Sequence, residues 1–150
     1  MRDTETTTLA PGITRVETVI DGKLHGYHVL DGANGPILVD PGVVDAPTTV
    51  YEPALETNGW SLADVSLAVL THADADHHGG NAQLREHAPS VTLAAHEADA
   101  HLMESVDAIM DERYGMFEDD HGISYDDDTR DWLDGMMGAG ERIDVRLRGG

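Results

Sequence analysis

The sequence predicts an α/β (α+β) protein folded as one domain over residues 1–150. Three observations predict it. Apolar β-type runs joined by short polar turns open the chain. Two nearly continuous apolar runs farther on alternate with helical stretches. A last segment alternates between apolar and charged residues.

Ile13–Ile20 reads as the first strand, and Gly26–Leu30 as the second, with Tyr27 and Val29 flanking His28. Ile37–Val39 is the third and runs into Asp40-Pro41-Gly42. The turns between them are Asp21-Gly22 and Asp31 to Pro36, and connections this short favour an antiparallel meander. Asp45-Ala46-Pro47 opens a helix that Asn58-Gly59 closes, and Pro53 imposes a kink or a restart inside it. Val65–Leu70 is almost wholly apolar, the pattern of a strand covered on both faces.

Asn81–Ala88 reads as a short helix, with Asn81 as N-cap and Pro89 as the stop. Val91–Ala95 is another buried strand, and His96–Val106 a helix with Ala100 and Met103 on its apolar side. Strand, helix, strand and helix in this order imply a parallel pair. Asp107–Asp134 is acid-rich and poorly patterned. Helical pieces are expected around Ala108–Tyr114 and Asp128–Met137, the second anchored by Trp132 and Leu133. In Arg142–Arg148 the apolar Ile143, Val145 and Leu147 alternate with charged residues, predicting a half-buried strand.

Composition excludes several functions. Lys and Arg number 9 against 29 Asp and Glu, a formal charge of −20. No basic surface is available to bind nucleic acid through its phosphates, or an anionic membrane. No apolar run approaches the roughly 18–20 residues that span a bilayer. Without cysteine there are no disulfides, thiolate metal sites or thiol nucleophiles. The polar N-terminus, Met1–Ala10, does not read as a signal peptide, so a cytoplasmic location is expected. Dispersed acids with a single lysine, Lys23, read as adaptation to high salt, where screening offsets self-repulsion.

The informative stretch is Thr71-His72-Ala73-Asp74-Ala75-Asp76-His77-His78-Gly79-Gly80, directly after the apolar run Val65–Leu70. Ligands gather at the carboxyl ends of strands in open α/β sheets. His72, Asp74, Asp76, His77 and His78 are all potential metal ligands, separated in part by small Ala73 and Ala75. Gly79 and Gly80 let the backbone pass close to a metal or substrate. Imidazole with carboxylate suits Zn, Fe or Mn.

This stretch resembles the signature loop of the metallo-β-lactamase-fold hydrolases, T-H-x-H-x-D-H-x-G-G. His72, the Asp76-His77 pair and Gly79-Gly80 match, and Asp74 stands where the common pattern has His. Ile37-Leu38-Val39-Asp40-Pro41-Gly42 is similar to the family's strand ending in Asp-x-Gly, whose Asp supports the metal loop. The element order resembles the first half of the family's αββα sandwich. The resemblance implies that His72 and Asp74 hold one metal and Asp76 and His77 the other, with zinc as the ion and iron or manganese as alternatives. It also implies that Asp76 orients the attacking water.

Two functions follow from the resemblance. One is a metal-dependent hydrolase that presents hydroxide to an ester, thioester, lactone or amide of a small-molecule substrate. The other is a non-catalytic metal-binding half-domain or degenerate paralogue. The family's second half supplies further ligands, yet no His follows His121, so the sequence corresponds to the N-terminal portion of such an enzyme. The strand Arg142–Arg148 is then an exposed edge through which copies of the chain associate. Outside the loop, His25 and His28 read as surface strand histidines and His96 as a helix-entry residue. His121 reads as solvated, His78 as substrate-facing, and Trp60 and Trp132 as packing residues. No G-x-S-x-G, P-loop or dinucleotide fingerprint is present.

Overall fold

The computed structural model describes residues 3–149. Strands β1 (Thr4–Ala10), β2 (Ile13–Ile20), β3 (Lys23–Gly32) and β4 (Gly35–Val39) form the antiparallel meander. Asp21 and Gly22, at the β2–β3 turn, both have positive φ (50° and 76°), as a tight two-residue hairpin loop of the right twist requires. β1 adds a strand to the three expected. Its threonines suit a pleated edge, but most of its side chains are exposed on both faces, so no apolar alternation marks it.

From β4 the sheet continues in parallel through β5 (Leu67–Val69), β6 (Thr92–His96) and β7 (Val145–Leu147). Among the described residues the sheet order is β1-β2-β3-β4-β5-β6-β7, a mixed α/β arrangement that includes the expected parallel pair. The β4–β5 crossover winds as a wide turn over Pro47–Tyr51 and restarts as α1 (Glu52–Glu56), with Pro53 in its first turn, where a missing N–H costs least. α2 (Ala75–His78) and α3 (Asn81–His87) join β5 to β6. α4 (Glu97–Glu104), α5 (Val106–Ala108), a wide-turned segment Ile109–Tyr114, α6 (Gly115–His121) and α7 (Asp127–Met137) join β6 to β7.

One core holds these elements. Val16, Ile20, Tyr27, Val29 and Leu38 of the sheet share it with Val50, Tyr51, Leu55, Leu84 and Met103 of the crossovers. Each side chain of this kind contributes about 1.5–3 kcal/mol on full burial.

Four expectations are corrected. Asn81 does not cap α3: Gly80 holds that position, and the Asn81 side chain is buried with neither polar atom hydrogen-bonded. The strand read as covered on both faces is covered on one. Ala68 is fully buried, whereas Leu67 and Val69 are half-exposed beside their register partners Ile37 and Val39. Leu133, Met136 and Met137 anchor α7, whereas Trp132 turns outward at 42% exposure. Of the expected strand Arg142–Arg148 only Val145–Leu147 pairs as β7, and the one buried apolar residue, Ile143, precedes it. Val145 and Leu147 lie open on the sheet edge, where β6 is their one neighbouring strand among the described residues.

Candidate metal centre

Parallel pairing sets the ends of β4 and β5 side by side, and the Asp40 N–H donates to the Val69 carbonyl at 3.0 Å. Asp40 has φ 60°, a left-handed backbone that Asp tolerates better than most residues. The Tyr51 hydroxyl braces this turn by donating to the Asp40 carbonyl at 2.5 Å. The buried Asp40 carboxylate then points along the next strand end. Its Oδ1 accepts from the Thr71 N–H at 2.7 Å, and its Oδ2 from the Thr71 hydroxyl at 2.7 Å and from His77 Nδ1 at 2.8 Å.

This network fixes two imidazoles. Thr71 has one hydroxyl proton and gives it to Asp40, which as a carboxylate only accepts. Its oxygen therefore accepts from His72 Nδ1, 2.8 Å away. His72 and His77 both carry their proton on Nδ1, and both present Nε2. Their ring centroids lie 4.0 Å apart. His72 Nε2 is 3.0 Å from Asp74 Oδ2, and His77 Nε2 is 3.7 Å from Asp76 Oδ2. A neutral Nε2 facing a carboxylate oxygen sets lone pair against lone pair, and a proton or a cation between them relieves the clash.

The charges respond to this crowding. Burial pulls the His77 pKa down, but the hydrogen bond to Asp40 and the carboxylates of Asp40, Asp76 and Asp74 together hold it above the ordinary histidine value. Burial raises Asp74, yet its hydrogen bond to Arg113 and the charges of Arg113, His72 and His77 keep it below the usual carboxylate range. The Arg113 Nε–H donates to Asp74 Oδ1 at 2.5 Å.

His78 does not face a substrate. It is buried at 4% exposure, its Nε2 has no partner, and burial pushes its pKa down to about 4. Gly79 and Gly80 approach backbone rather than ligand: a Cβ on them would stand 2.1 Å from the Met136 carbonyl and 2.7 Å from the Pro41 carbonyl. They seat α2 and α3 against α7 and the loop after β4. His96 caps α4, its Nδ1 accepting the Ala98 N–H at 3.2 Å, and His121 is exposed.

Sequence reasoning missed three residues at the loop. His25 is largely buried, with Nδ1 3.6 Å from Asp76 Oδ2. It shares the inward parity of Tyr27 and Val29, a signal the sequence did contain. Arg113 and Tyr114 come from the poorly patterned stretch. The Tyr114 hydroxyl accepts the Ala75 N–H at 3.1 Å, and burial pushes its pKa up to about 12. A cavity of about 250 Å³ opens beside Asp74 and Asp76, walled by Ile20, Phe117, Trp132 and Leu133, with Lys23 and His25 on its rim.

As the side chains stand, no group of three or more His, Asp or Glu among the described residues is gathered to hold a metal ion. They stand instead as pairs, His72 with Asp74 and His77 with Asp76. The donor chemistry of the loop nevertheless fits a borderline metal. Two Nε2 lone pairs face carboxylates, and each Nδ1 is tied to an oriented oxygen.

Solved structures share this architecture. FEZ-1 metallo-beta-lactamase from Legionella gormanii superposes with a TM-score of 0.73 at 15% identity, over 100% of this chain and 49% of its own. A metallo-beta-lactamase family protein from Thermus thermophilus gives 0.68 at 21%, over 95% and 48%. A metallo-beta-lactamase with a HARLDQ motif from Cronobacter sakazakii gives 0.66 at 21%, over 97% and 48%. The chain thus spans about half the length of the structures it matches. A search of curated protein sequences gives no match. The family model of the metallo-beta-lactamase superfamily matches residues 27–143, a span that holds Asp40 and the whole loop Thr71–Gly80, and the chain belongs to that superfamily.

Proposed function

We propose that this chain supplies the first half of a metal-dependent hydrolase centre acting on an ester, thioester, lactone or amide of a small molecule. The observation that carries the reading is the Asp40–Thr71 network, which holds His72 and His77 in the tautomer that exposes Nε2. His72, Asp76 and His77 are the residues that would hold a zinc-type ion. Such an ion supplies Lewis acidity, which acidifies water and polarises a carbonyl. Asp40 positions both imidazoles. Asp76 Oδ2 lies beyond hydrogen-bonding distance of His25 (3.6 Å) and His77 (3.7 Å), so it keeps lone pairs with which to orient a water. The adjoining cavity offers the substrate an apolar wall, with Lys23 as a cationic contact at the rim.

A specific observation favours a second reading, a metal-binding half-domain without turnover: the donors stand in pairs, whereas a catalytic zinc usually takes three protein ligands and a water. One experiment separates the two. Zinc-loaded chain is assayed against aryl esters, thioesters and lactones, with His77→Ala and Asp76→Asn alongside. Hydrolysis lost in both variants supports the enzyme. Zinc bound by the chain without turnover of any substrate class supports the half-domain. A chain that takes up no zinc contradicts both.

A further inference from the structure

Asp74 and Asp76 stand two residues apart in one loop, yet their surroundings differ in kind. Asp74 is tied to a cation: its Oδ1 accepts from the Arg113 Nε–H at 2.5 Å, while its Oδ2 lies 3.0 Å from His72 Nε2. Asp76 meets its nitrogen neighbours only at 3.6 and 3.7 Å. Arg113 is not a stray surface cation. It projects from the wide-turned segment Ile109–Tyr114, and its neighbour Tyr114 is fixed to the same loop through the Ala75 N–H. Wide turns inside helices redirect side chains and often mark functional positions. A guanidinium stays protonated at any pH the protein meets. A divalent ion at Asp74 would have to displace that charge or sit against it.

We propose that Arg113 is a built-in cation that takes the place of a second metal ion at Asp74, leaving the loop one divalent-metal site on His72, Asp76 and His77. This rests on the metal reading above and deepens it by setting the number of ions. The same ion pair neutralises Asp74, whose Oδ2 faces Nε2 of His72 at 3.0 Å.

The test is zinc ion alone, titrated calorimetrically into the metal-free chain, with elemental analysis of the dialysed complexes. The wild-type chain is expected to bind one equivalent. Arg113→Gln frees the Asp74 carboxylate and is expected to bind two. The double variant Asp74→Asn with Arg113→Gln removes the pair at constant net charge. It is expected to return to one equivalent, with a Kd within about threefold of wild type, since neither residue then contacts the ion. Two equivalents in the wild-type chain overturn the proposal by themselves, whether or not the variants fold. One equivalent in folded Arg113→Gln overturns it as well, as does a double variant whose zinc affinity falls by more than about tenfold, the loss expected when an outer partner of a metal site is removed. No zinc in any of the three overturns the metal reading itself, and the assignment of Arg113 with it.

Discussion

Asp40 and His77, 37 residues apart in sequence, are joined by a 2.8 Å hydrogen bond from Nδ1 to Oδ2 that links the end of one strand to the loop after the next. The same carboxylate accepts twice from Thr71, so one buried group orients the whole start of the loop. Asp40→Asn keeps the shape and replaces one acceptor oxygen with a donor, leaving donors facing a donor. Stability is expected to fall by about 1–3 kcal/mol in urea unfolding. Zinc affinity is expected to fall by about 10- to 100-fold. A variant with unchanged affinity would remove Asp40 from the site.

Asp144 ties the C-terminal strand to the body of the sheet. It accepts from the Leu93 N–H at 2.9 Å, from Arg85 at 2.9 Å and from Arg142 at 2.8 Å. Burial raises its pKa, but these donors and the arginine charges leave it below the ordinary carboxylate value. The unfolded chain, with an Asp pKa of about 3.9, therefore takes up the proton more readily than the folded one. The stabilisation is fully present above about pH 4 and is lost as pH falls through the lower folded value. Denaturation profiles taken down the acid range should decline less steeply for Asp144→Asn than for wild type. Parallel profiles would contradict the coupling.

The charge of −20 predicts a strong response to salt. The screening length shortens from about 10 Å at 0.1 M to about 3 Å at 1 M. The thermal midpoint is expected to rise by more than about 5 °C between those concentrations. A midpoint indifferent to KCl would remove the reading of the composition as adaptation to salt.

β7 presents Val145 and Leu147, both more than 40% exposed, on a strand with one neighbouring strand among the described residues. Open edges of this kind pair with other chains. Light scattering of the chain in molar salt, where charge repulsion is screened, is expected to show association that Val145→Lys reduces. A monodisperse monomer at all salt concentrations would contradict it.

Much of this architecture was legible because local chemistry and global packing agree. The Asp21-Gly22 turn, the inward alternation of Tyr27 and Val29, and the apolar run before His72 each specify an element without outside help. Asp40 was legible as a strand-end carboxylate, and its distance to His77 fills in what spacing alone does not contain. What stayed hidden depends on long-range partners. β1 has no apolar face to read. Arg113 lies in an acid-rich stretch whose helix is held by tertiary contacts, and nothing local announces its reach to Asp74. Trp132 turns outward because its indole N–H donates to Asp21 at 2.9 Å and its ring lies under Lys23, contacts made across the hairpin rather than within α7.

In the proposed centre His72 and His77 present Nε2 to a metal, and the accepting oxygen beside each Nδ1 keeps the ring proton there. Long-range nitrogen-15 spectra of the histidine rings, recorded with and without one equivalent of zinc, read both nitrogens directly. Zinc is predicted to shift the Nε2 resonances of His72 and His77, with both Nδ1 remaining protonated and the remaining histidines unmoved. Unshifted Nε2 signals, or zinc on Nδ1, would contradict it.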